Sequence, residues 1–187
     1  MMTVLPTRTK WLPMRHPQLD NAVPFALSEI PNGKAGVIKT LTIMADLVRV
    51  YKANASIRQL AVQLLGNING NAKNYKVQIQ RLFNFVQTRI GYVRDIRGVE
   101  TIQTPLYTLD IGSGDCDDKS VLLATLIECI GHPTRFLAMG FAPENYCHVI
   151  CEVYLNGVWV SLDTTENRPM GWKPPDIVCG YCVECKL

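Results

Sequence analysis

The stretch GSGDCDDKSVLLATLIECIGHP, residues 112–133, contains the strongest fold signals in this chain. Its central run is apolar almost all round, which is typical of a helix that is buried on most sides. Gly131 and Pro133 follow the run, and both residue types end helices. Cys116 stands where the helix begins, among acidic residues of the kind that a helix N-terminus favours. The stretch therefore predicts a buried helix that carries a thiol in its first turn.

Three aspartates surround this thiol and allow two interpretations. Asp115 or Ser113 suits the cap position, and Asp118 would then face free N–H groups of the first turn. Alternatively, Asp115, Asp117 and Asp118 hold a divalent cation. We favour the cap, because acidic residues at these positions are what a helix start selects for. On that interpretation their charge is partly neutralised as far as Cys116 is concerned.

Three strand-like runs follow the helix: TRFLAMGF, CHVICEVYL and VWVSLDT. An Asn-Gly pair at 156–157 joins the last two and is the strongest short hairpin signal. With this pair as the loop, Leu155 pairs with Val158. His148 and Asp163 then fall on one face as diagonal neighbours. A diagonal separation of about 7–8 Å is within reach of an Asp–His hydrogen bond.

Three amphipathic helices are predicted upstream. The first spans 37–53, the second runs from an N-cap at Ser56 to Gly66, and the third ends at Gly91. The following segment, YVRDIRGVETIQTPLYTLDIGSG, is predicted to be a long connection with short extended pieces that leads to Cys116. Helices followed by antiparallel strands indicate an α+β fold, with helices packed on a small antiparallel sheet.

Composition excludes several classes of protein. A net charge of +3 over 187 residues is too small to indicate a partner nucleic acid or an anionic membrane. No run reaches the roughly 18 apolar residues of a membrane span. Prolines occupy the N-terminal region where a signal peptide would be apolar, so secretion by a signal peptide is not expected. The seven cysteines are therefore expected to be reduced thiols.

The chain divides into three parts on these patterns. Residues 1–35 are rich in proline and predict an extended arm, lying on its own domain or reaching a partner. Residues 36–172 form the main domain, and residues 173–187 form a cysteine-rich tail.

The tail raises the question of a metal. Its cysteines have the spacing C-x2-C-x2-C, which would let three thiolates converge on zinc or an iron–sulfur cluster. Cys147 or Cys151 would supply the fourth ligand. A mobile tail or a strained disulfide pair is the alternative. The three proposed ligands are Cys179, Cys182 and Cys185.

Cys116, His148 and Asp163 together match the needs of thiol catalysis: a nucleophile, a general base and a carboxylate that orients the base. Such chemistry needs no cofactor. The helix dipole and an ion pair with the His148 imidazolium would lower the pKa of Cys116. The Cys116 backbone N–H would be one donor to the oxyanion, and Gln103 is a weaker candidate for a second.

The block GDCDDKSVLLATLIECIGHPTRFLAMGF, followed by CHVICEVYLNGVWVSLDTT, resembles the transglutaminase-like cysteine protease superfamily over roughly residues 72–172. The shared features are a Gly-x-Cys helix start, a His that begins a strand and an Asp that ends the next. The segment YVRDIRGVETIQTP, residues 92–105, resembles bacteriophage and prophage members. The resemblance implies a papain-like core and a thioester intermediate, resolved by water in a peptidase or amidase and by an amine in a transglutaminase.

Two functions follow from the resemblance. The first is a cysteine peptidase or amidase that acts on a protein or peptide in the cytoplasm of a phage-infected bacterial host, or is carried in the virion. The second is a structural virion component, in the tail or connector, that uses the fold as an assembly module. In that case the arm would contact other phage structural proteins, and the triad would be vestigial or used only in maturation.

Overall fold

The computed structural model describes residues 30–66, 74–95 and 101–186, so most of the proline-rich arm lies outside the described residues. Within these ranges the architecture is mixed α and β, in agreement with the predicted class. The helices are α1 (Lys34–Tyr51), α2 (Ala55–Leu65), α3 (Tyr75–Arg89), α4 (Pro105–Ile111) and α5 (Cys116–Glu128). The strands are β1 (Gly91–Tyr92), β2 (Ser113–Gly114), β3 (Thr134–Gly140), β4 (Tyr146–Leu155), β5 (Val158–Leu162) and β6 (Cys179–Glu184).

The three predicted upstream helices are present, with changes at their ends. The N-cap of α2 is Asn54 rather than Ser56, because the Asn54 side chain accepts hydrogen bonds from the backbone N–H groups of Ser56 and Ile57. Gly66 does end this helix, with a positive φ of 53°. The cap after α3 is Ile90, one residue before the predicted Gly91.

The long connection before Cys116 contains a helix, α4, that the sequence analysis missed. Thr104 is its N-cap and accepts a hydrogen bond from Tyr107 N–H. Pro105 occupies its first turn, where proline is favoured, and Gly112 ends it in the left-handed conformation. These signals are present in the sequence, but a helix from Pro105 to Ile111 is too short to show a clear apolar periodicity.

The main sheet has four antiparallel strands in the order β5-β4-β3-β6. The predicted hairpin pairing is confirmed: Leu155 faces Val158, and the register continues to Cys151 and Leu162. Asn156 and Gly157 both have positive φ, as a tight two-residue turn requires. The register between β3 and β4 shifts near Met139.

The predicted tail is part of this sheet rather than an appendage. Residues 179–184 form β6, which pairs with β3 along its length. Cys185, just past the strand, is fully buried in the core. The division at residue 173 therefore separates two parts that the structure packs together.

The core lies between the helices and the sheet, with α5 at its centre. Residues 121–124, 126 and 127 of α5 are completely buried, which confirms the prediction of a helix that is apolar almost all round. The helix packs on α1, α3 and α4 on one side and on β4 on the other. Within the described ranges, no helix has both the length and the hydrophobicity to cross a bilayer. This packing fixes the start of α5, and therefore Cys116, against the sheet.

Candidate active site

Asp115 and Asp118 build the helix start that carries Cys116. Asp115 Oδ1 accepts hydrogen bonds from the N–H groups of Asp117 (3.0 Å) and Asp118 (3.2 Å). Asp118 Oδ2 accepts the Asp115 N–H at 3.1 Å, which completes a capping box. The cap interpretation of these two aspartates is confirmed, and Cys116 is the first residue of α5.

The same carboxylate also fixes the chain that precedes the helix. Asp118 Oδ1 accepts the Gln103 N–H at 2.7 Å. Gly114 lies so close to Asp118 that a Cβ added to it would stand 2.5 Å from the Asp118 Cβ. Burial, the largest effect, and the neighbouring charges of Asp115 and Asp95 raise the pKa of Asp118 to about 7, against the lowering effect of its two N–H bonds. Because a side chain at position 114 would collide with Asp118, a glycine is needed there for this cap to form.

His148 and Asp163 meet across the β4–β5 hairpin, as the register predicts. His148 Nε2 lies 2.9 Å from Asp163 Oδ2. Asp163 Oδ1 accepts hydrogen bonds from the Thr165 N–H (3.0 Å) and hydroxyl (2.7 Å). Burial alone would raise the pKa of Asp163, but the hydrogen bonds from His148 and Thr165 outweigh it and lower the pKa.

The charge of Asp163 determines which nitrogen of His148 carries the proton. An ionised carboxylate only accepts hydrogen bonds, so Nε2 must be the protonated nitrogen of the neutral ring. The remaining nitrogen, Nδ1, then has a free lone pair and is the basic position. The pair therefore has the arrangement that orients a general base.

Cys116 and His148 line one cleft of about 760 Å³, which lies against the two central strands of the sheet, β3 and β4. Ala138 of β3 and Cys147 and Val149 of β4 also line this cleft. Cys147 and His148 are neighbours in β4 and would ordinarily point to opposite faces of the sheet, but the register shift at this end of β4 brings both residues to the cleft. The remaining wall residues include Ile30, Pro31, Asn32, Gly33, Gly36, Val37, Tyr92, Arg94, Asp95 and Tyr146.

The resting thiol is neutral, which corrects the expectation of a lowered pKa. Burial raises the pKa of Cys116 far above its ordinary value, and the charges of Asp117 and Asp115 raise it further. A backbone hydrogen bond from Val149 acts in the opposite direction and is weaker. The thiol donates to Asp117 Oδ1 at 3.5 Å. The aspartates therefore keep much of their influence on Cys116.

A cation site at the helix start was the alternative to the cap. Among the described residues, three side chains are close enough together to hold a metal ion: Asp115, Cys116 and Asp117. Each offers one ligand atom, and these atoms lie within 4.8 Å of one another. Asp118, the third aspartate of the predicted set, is used by the capping box. Asp115 Oδ1 already accepts two N–H groups. The carboxylates of Asp115 and Asp118 therefore stabilise the start of α5 through hydrogen bonds that need no ion.

The three tail cysteines are not brought together. Along a strand, neighbouring side chains alternate between faces, so Cys182 points away from the face of Cys179, and Cys185 lies beyond the end of β6. Cys179 donates to the Ala142 carbonyl at 3.3 Å, whereas Cys185 is buried, which raises its pKa to about 12. The C-x2-C-x2-C spacing would let the three thiols converge in a loop, but residues 179–184 form a strand, which separates them.

Two features of the site were not found from the sequence. The Lys119 side chain is buried, and its Nζ donates to the Ile90 carbonyl at 2.7 Å, which ties the start of β1 to α5. Burial lowers the pKa of this amine. Tyr92 and Arg94 line the cleft. Nothing in the local pattern marks these residues, because their placement depends on the pairing of β1 with β2.

Comparison with known proteins places these features in a family. A sequence model described as the transglutaminase-like superfamily matches residues 62–164. A search of curated proteins found no match. Among solved structures, Legionella pneumophila LapG superposes with a TM-score of 0.51 and 18% identity, covering 73% of this chain and 78% of LapG. A calcium-bound form of LapG matches equally well, with the same TM-score and identity.

Two further solved structures have the same fold. A candidate cysteine protease from Cytophaga hutchinsonii has a TM-score of 0.51 and 14% identity, covering 85% of this chain and 61% of its own. A candidate protease from Parabacteroides distasonis has a TM-score of 0.51 and 15% identity over 70% of this chain, but only 27% of its own. At these identities the likeness supports the fold alone.

Proposed function

This chain belongs to the transglutaminase-like superfamily, and on that premise we propose that it is a cysteine peptidase or amidase. The observation that carries the proposal is the 2.9 Å contact between His148 and Asp163 at a cleft shared with Cys116. A thiol at a helix N-terminus, a histidine with a basic nitrogen and a buried carboxylate have the roles that acyl transfer requires.

The reaction begins when a peptide or amide carbonyl enters the cleft. Cys116 Sγ forms a bond to the carbonyl carbon while His148 Nδ1 takes the thiol proton, and the carbonyl oxygen becomes an oxyanion. The Cys116 backbone N–H is available to this oxyanion because the first N–H of a helix has no intrahelical acceptor. Collapse of the intermediate breaks the C–N bond, and His148 returns the proton to the leaving amine.

The product of this first half is a thioester on Cys116. Water then attacks the thioester with His148 as base, which releases a carboxylic acid and restores the thiol. The neutral resting thiol fits this sequence, because the proton moves during attack rather than before it. The Asp163 carboxylate stays ionised and stabilises the imidazolium that forms in each half.

A library of proteome-derived peptides tests the proposal. The chain is incubated with the peptides, with and without cadaverine as a competing primary amine, and products are identified by mass spectrometry. We expect hydrolysis products that disappear in Cys116→Ala and persist in Cys182→Ser, a matched change of an exposed thiol on β6. Cys116-dependent cadaverine adducts without hydrolysis would indicate a transglutaminase instead. The absence of any Cys116-dependent product would overturn the proposal.

Calcium is included as a condition of that experiment. LapG has been solved in calcium-bound and EGTA-treated forms, and Asp115 and Asp117 flank the thiol of this chain. Each incubation is therefore run with calcium and with EGTA, so that a requirement for the ion is not mistaken for an inactive thiol.

The bacteriophage assignment is part of the same proposal and rests on residues 92–105 and on the short domain. It places the protein in a phage-infected bacterial cell or in the virion, with the arm of residues 1–35 as the segment that contacts other phage proteins. Recovery of the chain at fixed copy number from purified particles would favour the virion.

A further inference from the structure

Tyr92 lies beside the helix start that carries the nucleophile. In the short parallel pair β1–β2, Tyr92 is the register partner of Gly114. The backbone bonds Gly91 N–H to Gly112 O (2.8 Å) and Val93 N–H to Gly114 O (3.0 Å) hold that register. Paired strands are about 4.8 Å apart, so the Tyr92 backbone is one strand spacing from a residue that precedes Cys116 by two positions.

The position of β1 is fixed to the same helix from its other end. Lys119 is in the first turn of α5, and its buried Nζ donates to the carbonyl of Ile90, the residue before β1. Tyr92 is therefore tied to the start of α5 by the strand pair and by this amine. Its side chain and that of Cys116 line the same cleft.

Arg94 affects the direction in which the Tyr92 phenol can donate its hydrogen bond. The Arg94 side chain lies close enough to the Tyr92 phenol to lower its pKa, and because a guanidinium only donates, it can face only the phenol oxygen as an acceptor. The phenol hydrogen then remains available to donate into the cleft, and the neighbouring cation strengthens it as a donor. Burial, aided by the charges of Cys116 and Asp115, raises the pKa of Tyr92 despite Arg94, so the phenol keeps its proton at neutral pH.

A second donor is needed because one N–H satisfies only part of an oxyanion. Gln103 was the candidate from the sequence, and it lies just before α4, where its side-chain oxygen accepts the Thr108 hydroxyl at 3.1 Å. Gln103 is also not among the residues that line the cleft. Tyr92, in contrast, lines the same cleft as Cys116.

We propose that Tyr92 is a catalytic residue whose phenol O–H, together with the Cys116 backbone N–H, hydrogen-bonds the oxyanion formed when Cys116 attacks a carbonyl. This inference rests on the proposed function and adds a named donor to it. Arg94 acts through Tyr92 as a positioning residue. No atom is transferred from Tyr92, because the proton of the thiol goes to His148.

Two reactions of the same thiol separate this role from a structural one. Alkylation of Cys116 by iodoacetamide displaces iodide and forms no oxyanion, whereas acylation by p-nitrophenyl acetate passes through one. Both rates are measured at Cys116 by peptide-resolved mass spectrometry in the wild type, in Tyr92→Phe and in Tyr107→Phe. Tyr107 is a partly exposed tyrosine on α4, outside the cleft, and provides the matched control.

Tyr92→Phe is expected to slow acylation by about 10²-fold, the usual cost of removing one oxyanion donor, while its alkylation rate stays unchanged. Tyr107→Phe should leave both rates unchanged. Equal acylation by wild type and Tyr92→Phe would overturn this inference and leave the proposed function standing. An equal fall in both rates would also overturn it, by showing that Tyr92 only shapes the site. No acylation of Cys116 in the wild type would overturn the proposed function itself.

Discussion

His148 Nε2 and Asp163 Oδ2 lie 2.9 Å apart, although the two residues are 15 positions apart in the chain. The hairpin turn at 156–157 sets this contact, because the register it imposes puts both residues on one face. A buried carboxylate with a lowered pKa then fixes the ring so that Nδ1 is the basic nitrogen. The contact thus connects a turn signal in the sequence to the tautomer of the His148 ring.

Replacing the Asp163 carboxylate with an amide tests this connection. Asp163→Asn keeps the size of the side chain but removes the charge that holds Nε2 protonated. We expect acylation of Cys116 by p-nitrophenyl acetate to fall by roughly 10⁴-fold, the order found for such a change in a catalytic triad. Asp46→Asn, on the surface of α1, is the matched control and should react like the wild type. Equal rates in Asp163→Asn and wild type would remove Asp163 from the mechanism.

The raised pKa of Cys116 predicts how alkylation of the thiol depends on pH. Only the thiolate reacts, so the rate at Cys116 should rise about tenfold per pH unit from pH 6 to 9 without a plateau. The measurement follows iodoacetamide labelling of each cysteine separately, because exposed thiols such as Cys147 also react. A constant labelling rate at Cys116 between pH 5 and 8 would instead indicate a preformed thiolate–imidazolium pair.

Asp118 predicts a pH dependence of folding stability. Its folded pKa is about 7, above the unfolded value of 3.8, so the folded state binds the proton more tightly. The stabilisation is complete below pH 3.8 and is lost as the pH rises through about 7. Asp118→Asn should therefore flatten the fall in the urea unfolding midpoint between pH 5 and 8. Asp110→Asn, an exposed change on α4, should not. Parallel curves for wild type and Asp118→Asn would refute this assignment.

Glu152 holds a buried charge network on the outer face of the sheet. Its side chain is fully buried and contacts Arg135 (2.6 Å), Lys173 (2.7 Å) and the Ser161 hydroxyl (2.9 Å). Glu152→Ala leaves these partners without their carboxylate, and we expect a loss of roughly 3 kcal/mol in the free energy of unfolding. Asp46→Ala breaks the exposed Asp46–Arg49 pair on α1 and should cost about 0.5 kcal/mol or less. Chemical denaturation measures the free energy of unfolding of both variants. A loss in Glu152→Ala as small as that in Asp46→Ala would contradict a stabilising role of this buried network.

The parts of the fold that local rules govern were predictable from the sequence. The Asn-Gly turn gives the register of β4 and β5, and the apolar run gives α5, because both depend on residues close together in the chain. Asp115 and Asp118 were recognised as a cap for the same reason. The pairing of His148 with Asp163 followed from the turn alone.

The parts that depend on distant contacts were not predictable in this way. The cysteine spacing of the tail suggests a metal loop until β3 is known to pair with β6. The pKa of Cys116 is raised chiefly by burial, which depends on the packing of α5 against residues distant in the chain. Tyr92 reaches the site only through the two-residue β1–β2 pair, too short to leave a pattern in the sequence.

The central claim is that Cys116 attacks carbonyls with His148 as its base, and acyl trapping tests it most directly. The wild type, His148→Ala and His132→Ala are treated with p-nitrophenyl acetate, and peptide-resolved mass spectrometry measures the acetyl thioester at Cys116. His132 packs on Tyr75 and is not among the residues lining the cleft, so it is the matched histidine. We predict rapid acetylation of Cys116 in the wild type and His132→Ala, and its loss in His148→Ala. Equal acetylation of Cys116 in His148→Ala, or acetylation confined to exposed cysteines in the wild type, would contradict the claim.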